Sequence, residues 1–119
     1  MYIEIHTDSS IEGTQEFTER IRGLVEPSLR RFAPRITRLE VHLSDPSSGH
    51  GQPLVRCMIE ARLSRLDPLA VSEDATRVQQ AVSGAVDKMK RMLTEESDQS
   101  HDHSGHDRGE RRGQRKSSS

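Results

Sequence analysis

Residues 73–96 read EDATRVQQAVSGAVDKMKRMLTEE, the longest cleanly periodic stretch of the chain. Ala75, Val78, Val82, Ala85, Val86, Met89 and Leu93 recur at three- and four-residue spacing, which gathers them on one stripe of a helix. Asp74 stands where a side chain accepts from the free N–H groups of a first turn. At about 100° per residue, Arg77 and Lys88 fall within about 20° of one another on one border of the stripe. Arg91 lies further round and Lys90 takes the opposite border, so four cations frame the face expected to be buried.

Such a stripe needs something to cover, and the sequence before it supplies strands. Residues 68–72 read as a short strand leading into the helix. Residues 54–64 alternate, with Val55, Cys57, Ile59, Ala61 and Leu63 on the inward side. The segment DPSSGHGQP at 45–53 is a loop too long for a tight hairpin. Residues 36–44 alternate again, with Leu39, Val41 and Leu43 facing in. Upstream lies a first helix, capped by Thr14, whose stripe is Phe17, Ile21, Leu24, Val25, Leu29 and Phe32. Pro27 sits inside it, at a cost of about 3 kcal/mol for an interior proline. The apolar spacing nevertheless stays in phase, and the carbonyl crowded by the ring belongs to Gly23, so a kink is expected and not a break. Residues 2–6 form the first strand, with Ile3 and Ile5 on one face.

The order β-α-β-β-β-α predicts an α+β fold of two layers. A parallel crossover joins the first two strands and a meander the rest, giving a mixed four-stranded sheet with both helices on one face. Tyr2, Glu4, His6, Arg38, Glu40, His42, Arg56, Met58, Glu60 and Arg62 then line the other face, which is polar enough to stay in water.

Residues 94–119 hold no Leu, Ile, Val, Phe or Met, so the folded domain is expected to span 1–96. Residues 97–119 are expected to be a disordered tail, His-rich and then rich in Arg, Gly and Ser. The body, 1–93, carries 13 Lys and Arg against 13 Asp and Glu, so binding to a polyanion would have to come from local segregation of charge. A single cysteine, Cys57, excludes an internal disulfide and fits a reducing compartment and a core position. With neither a signal-like start nor a long apolar run, the chain reads as cytoplasmic, with no membrane partner.

Glu4, His6, Glu40, His42 and Glu60 have residue types suited to a metal or an acid–base pair. Without an HExxH motif, a second cysteine or a Gly-rich phosphate loop, they are read as solvated cross-strand pairs, with no enzyme activity, cofactor or small-molecule substrate expected. In the tail, His101, His103 and His106 are weak metal-ligand candidates, read first as part of a solubilising segment. RGERRGQRK at 108–116 has the composition of a segment that touches phosphates without reading sequence. One Tyr and two Phe are too few for base stacking on a sheet. What remains is phosphate recognition by Arg20, Arg22, Arg30 and Arg31 on the first helix together with Arg77, Lys88, Lys90 and Arg91. Arg20 and Arg31 share one border, and a cationic groove results if the borders of the two helices face each other.

The stretches IEGTQEFTERIRGLVEPSLRRF (11–32), LEVHLS (39–44), SEDA (72–75) and AVDKMKRML (85–93), in this order, resemble the ribosome hibernation promoting factor and ribosome-associated inhibitor family. The resemblance covers about residues 2–93. It implies a non-enzymatic monomer that binds the small ribosomal subunit, 16S ribosomal RNA included, at the decoding region. There it would block the messenger and transfer RNA sites and promote hibernation under stress. The family's basic positions carry over to Lys88 and Arg91, with Lys90 adjacent. The chain departs from the family at Pro27 and at the acidic run after Leu93, and reads as the short type or a divergent relative. The rival reading is a protein-interaction or metal-handling module that kept the fold and lost the RNA surface.

Overall fold

The computed structural model describes residues 1–47 and 51–101. Alternation builds four strands, β1 (Tyr2–Thr7), β2 (Ile36–Ser44), β3 (Val55–Leu63) and β4 (Leu69–Ala75). They lie side by side in sequence order, β1 parallel to β2 and the later pairs antiparallel, as the β-α-β-β-β-α order predicts. Leu39, Val41, Cys57, Ile59 and Ala61 on one side of the sheet are fully buried. Each aliphatic side chain buried there contributes about 1.5–3 kcal/mol relative to exposure.

The first helix, α1 (Gln15–Leu29), starts where Thr14 Oγ1 accepts from the N–H of Phe17 at 3.1 Å. It passes through the exposed Pro27 without interruption, as its in-phase stripe requires. Beyond Leu29 the chain tightens into a 3-10 segment, Arg30–Arg35, that contains Pro34 and still buries Phe32.

The second helix, α2 (Val78–His101), differs from expectation at both ends. Glu73, Asp74 and Ala75 belong to β4, in register with Cys57, Arg56 and Val55. Asp74 is therefore no helix cap. Its carboxylate is held by Arg56, Nε at 2.9 Å and Nη2 at 3.1 Å, on the outer side of the sheet. Cross-strand pairing overrides the helical spacing that Ala75 happens to share. At the far end α2 passes the boundary expected at residue 96 and reaches His101. Ala81, Val82, Ala85, Val86, Met89 and Leu93 are its buried stripe, packed on β3, β4 and α1, while α1 also rests on β1. Both helices thus cover one face of the sheet. No described helix is long and apolar enough to cross a membrane.

Candidate nucleic-acid interface

Two side chains fix how the helices are turned. Arg22 Nη1 donates to the carbonyl of Ile3 at 2.8 Å, tying α1 to β1. Lys88 Nζ donates to the carbonyl of Ser72 at 2.7 Å and lies 2.9 Å from Glu73 Oε1, tying α2 to β4. β1 and β4 are the two edges of the sheet, so Arg22 and Lys88 mark opposite flanks of the helical layer. Two residues along a helix turn the side chain by about 160°. Arg20 is therefore swung from Arg22's flank toward α2, and Lys90 from Lys88's flank toward α1. Helix geometry thus puts Arg20 and Lys90 on the borders that face each other, whereas Lys88, one of the four cations of the expected frame, faces the edge strand.

The other cations divide in the same way. Arg30 is engaged within α1 and the following turn by both oxygens of Glu26, at 2.7 and 3.2 Å. That pairing raises the guanidinium pKa and holds the carboxyl below its ordinary range. Arg31 lies over the Phe32 ring at 4.6 Å, exposed to solvent beyond it. Arg77 precedes α2, is exposed, and accepts the Ala81 N–H at its carbonyl. Arg91 is exposed on the outer surface of α2. Among the described residues Arg20, Arg31, Arg77, Lys90 and Arg91 form no ion pair, while Arg22 lies 3.6 Å from Glu19. A body with equal numbers of basic and acidic residues thus concentrates uncommitted cations on its helical side.

Arg35 was not singled out by the sequence. Its Nη1 donates to the carbonyl of Leu93 at 3.1 Å and its guanidinium lies 5.8 Å from the Phe32 ring, joining the 3-10 segment to α2. Only the arginine's place after Pro34, at the entry to a strand under two helices, could have hinted at this.

On the opposite face of the sheet Glu4, Arg38 and Glu40 are paired, and His6 and His42 each meet one of those carboxylates. Rows run straight across the strands, Tyr2–Arg38–Arg62, Glu4–Glu40–Glu60 and His6–His42–Met58. Arg38 Nη2 lies 2.7 Å from Glu4 Oε1, and its Nε lies 2.9 Å from Glu40 Oε2, close but misaligned for a hydrogen bond. Arg38 above all, and His6 less strongly, hold the Glu4 carboxyl below its ordinary range. His6 Nε2 is 3.1 Å from Glu4 Oε1 and His42 Nε2 is 3.2 Å from Glu40 Oε1. The two imidazoles stack with centroids 4.8 Å apart and planes 13° from parallel. His6, Glu40 and His42 thus come together as possible metal ligands. His101 is the last residue of α2, while His103, His106 and the basic segment 108–116 lie outside the described residues.

Three comparisons bear on identity. No curated protein matches the sequence. Among solved structures, the chain resembles the crystal structure of the Thermus thermophilus Protein Y N-terminal domain, with a TM-score of 0.58 and 22% identity, over 78% of this chain and 96% of that one. It also resembles a ribosomal subunit interface protein from Coxiella burnetii, with a TM-score of 0.63 and 12% identity, over 82% of this chain and 98% of that one. At such identities these two likenesses speak for the fold alone. The model of the family described as Sigma 54 modulation protein / S30EA ribosomal protein matches residues 9–101, a span from the β1–α1 loop to the end of α2. The chain therefore belongs to that family, the ribosome-associated hibernation family its sequence resembles.

Proposed function

We propose that this chain is a non-enzymatic factor that binds the small ribosomal subunit near the decoding region and promotes hibernation of idle ribosomes under stress. The family match over residues 9–101 carries the reading. The names of the two structural neighbours, Protein Y and a ribosomal subunit interface protein, agree with it. The distribution of charge supports a contact made by the helical side, where cations meet ribosomal RNA phosphates without reading bases. Arg20, Lys90, Arg91 and Arg31 are the primary contacts, with Arg77 at the start of α2. Arg22, Arg30 and Lys88 join only by sharing or leaving their present partners, Ile3 and Glu19, Glu26, and Ser72 and Glu73. The protein acts as a cytoplasmic monomer, and its ligand is 16S ribosomal RNA, neither a membrane nor a small molecule.

Co-sedimentation with purified small subunits at two salt concentrations tests this. Lys90→Glu with Arg91→Glu should abolish binding and leave the fold intact, because neither residue lies on the buried stripe. Each phosphate contact removed should flatten the logarithmic salt slope by about one unit. Lys88→Ala should change that slope less than Lys90→Ala, since Lys88 is spent on β4. Undiminished binding by the double charge reversal would sink the proposal.

A further inference from the structure

We propose that the open face of the sheet carries a site for a divalent transition ion of the zinc class, with Nε2 of His6, Nε2 of His42 and a carboxylate oxygen of Glu40 as ligands. The inference is independent of the ribosomal reading, because it concerns the face of the sheet away from both helices.

The ligand set is built by the register. His6 and His42 are direct cross-strand partners in the parallel pair β1–β2, and Glu40 precedes His42 by two residues on the same face. Their candidate ligand atoms all lie within 4.8 Å of one another. Two imidazoles and one carboxylate form a donor set typical of zinc-class ions, with water as the remaining ligand. Zinc bonds of about 2.0–2.2 Å set ligand atoms roughly 3.3 Å apart, so the site must contract from its present spread. The side chains have room to do so, because His6 and His42 are 48% and 37% exposed. Each Nε2 now faces a glutamate oxygen, Glu4 for His6 and Glu40 for His42. An ion takes that position when the ring carries its proton on Nδ1 instead, a tautomer exchange that leaves each imidazole neutral.

The surroundings favour a cation. Glu4, Glu40 and Glu60 lie directly opposite one another across three strands, an arrangement in which like charges repel. Arg38 bridges Glu4 and Glu40, while Glu60 has no ion pair among the described residues. Arg38 also acts as the outer support that a ligating carboxylate needs, approaching Oε2 of Glu40 and leaving Oε1 turned toward His42.

The experiment uses the full chain carrying His50→Gln, His101→Gln, His103→Gln and His106→Gln, so that His6 and His42 are the two histidines left of six. Zinc chloride is titrated by calorimetry, and cobalt(II) by its visible absorption. The expected result is one ion per chain, with the affinity lowered at least tenfold by His42→Gln or His6→Gln and severalfold by Glu40→Gln. In nitrogen-detected imidazole spectra both Nε2 resonances should shift together on adding zinc. Should a variant fold poorly, the spectra of the parent decide alone. Unchanged zinc affinity in His42→Gln, a shift confined to one ring, or loss of all binding with the four background changes would overturn the site.

Discussion

At the scale of single residues, burial decides what a change does. Val82 is fully buried in the second turn of α2, so Val82→Asp places an unpaired charge in the core. That should cost more than about 4 kcal/mol, most of what a small domain holds, and the circular dichroism of the variant at 25 °C should be that of an unfolded chain. Cys57 is as deeply buried but small, and its burial pushes the thiol pKa up to about 12. Cys57→Ser leaves a hydroxyl without a partner, costs about 1–3 kcal/mol, and should lower the thermal midpoint while keeping the fold. The raised thiol pKa has a sign that can be checked. Below its ordinary pKa of 9.0 the folded and unfolded chains are equally protonated at this group, whereas above it the unfolded chain loses a proton that the folded chain keeps. Stability from this residue therefore falls as the pH rises from about 9 toward 12. Cys57→Ser should remove that part of the alkaline loss in urea titrations.

At the scale of elements, two glycines in the two helices should respond in opposite ways. Gly23 is exposed on α1 and a methyl group added there meets nothing within 4 Å, so Gly23→Ala should stabilise by about 0.5–1 kcal/mol through helix propensity alone. Gly84 lies where the Glu73 side chain crosses α2 toward Lys88, and an added Cβ would sit 2.6 Å from Glu73 Cγ. Gly84→Ala must push that side chain away from Lys88, so the propensity gain is cancelled or reversed. Adding Glu73→Ala should restore the gain, and a double-mutant cycle of thermal midpoints measures the coupling. If Gly84→Ala alone stabilised as much as Gly23→Ala, the Glu73–Lys88 tie between β4 and α2 would be energetically silent.

At the scale of the whole molecule, the sheet face and the helical face answer differently to pH and salt. The carboxyls of Glu4, Asp8, Glu26, Asp45 and Asp74 are held below their ordinary range by hydrogen bonds from Arg38, Ser10, Arg30, Ser47 and Arg56, respectively. The stability they add is fully present above the ordinary carboxylate pKa and is lost as the pH falls through the lowered values of the folded state. Urea midpoints should therefore drop on acidification below the ordinary carboxylate range, and Arg38→Gln should reduce part of that drop. If ribosomal subunit binding rests on the helical cations as proposed, it should instead fall with salt and be indifferent to His6→Gln with His42→Gln. Co-sedimentation of the His pair at low salt checks this, and a loss of binding there would put the contact on the sheet.

Much of this molecule was legible from local pattern, since alternation and helical spacing are properties of the chain itself. Ile3, Leu39, Val41, Cys57 and Ile59 point inward because strand geometry alternates, and Thr14 caps α1 because its hydroxyl reaches an N–H three residues on. The sequence also set the order of elements, and with it the parallel crossover and the meander. It did not settle where β4 ends, because Glu73, Asp74 and Ala75 satisfy both periods and only the pairing with Val55, Arg56 and Cys57 chooses between them. Nor did it settle which cations are free. Arg22 and Lys88 look like surface charges on a helical wheel, yet each donates to the carbonyl of an edge strand. Those bonds join residues far apart in the chain, so they depend on how the layers stack, and that stacking turns Arg20 and Lys90 toward the seam. The same is true of His6, Glu40 and His42, whose meeting needed the register of β1 on β2 and not any spacing within either strand.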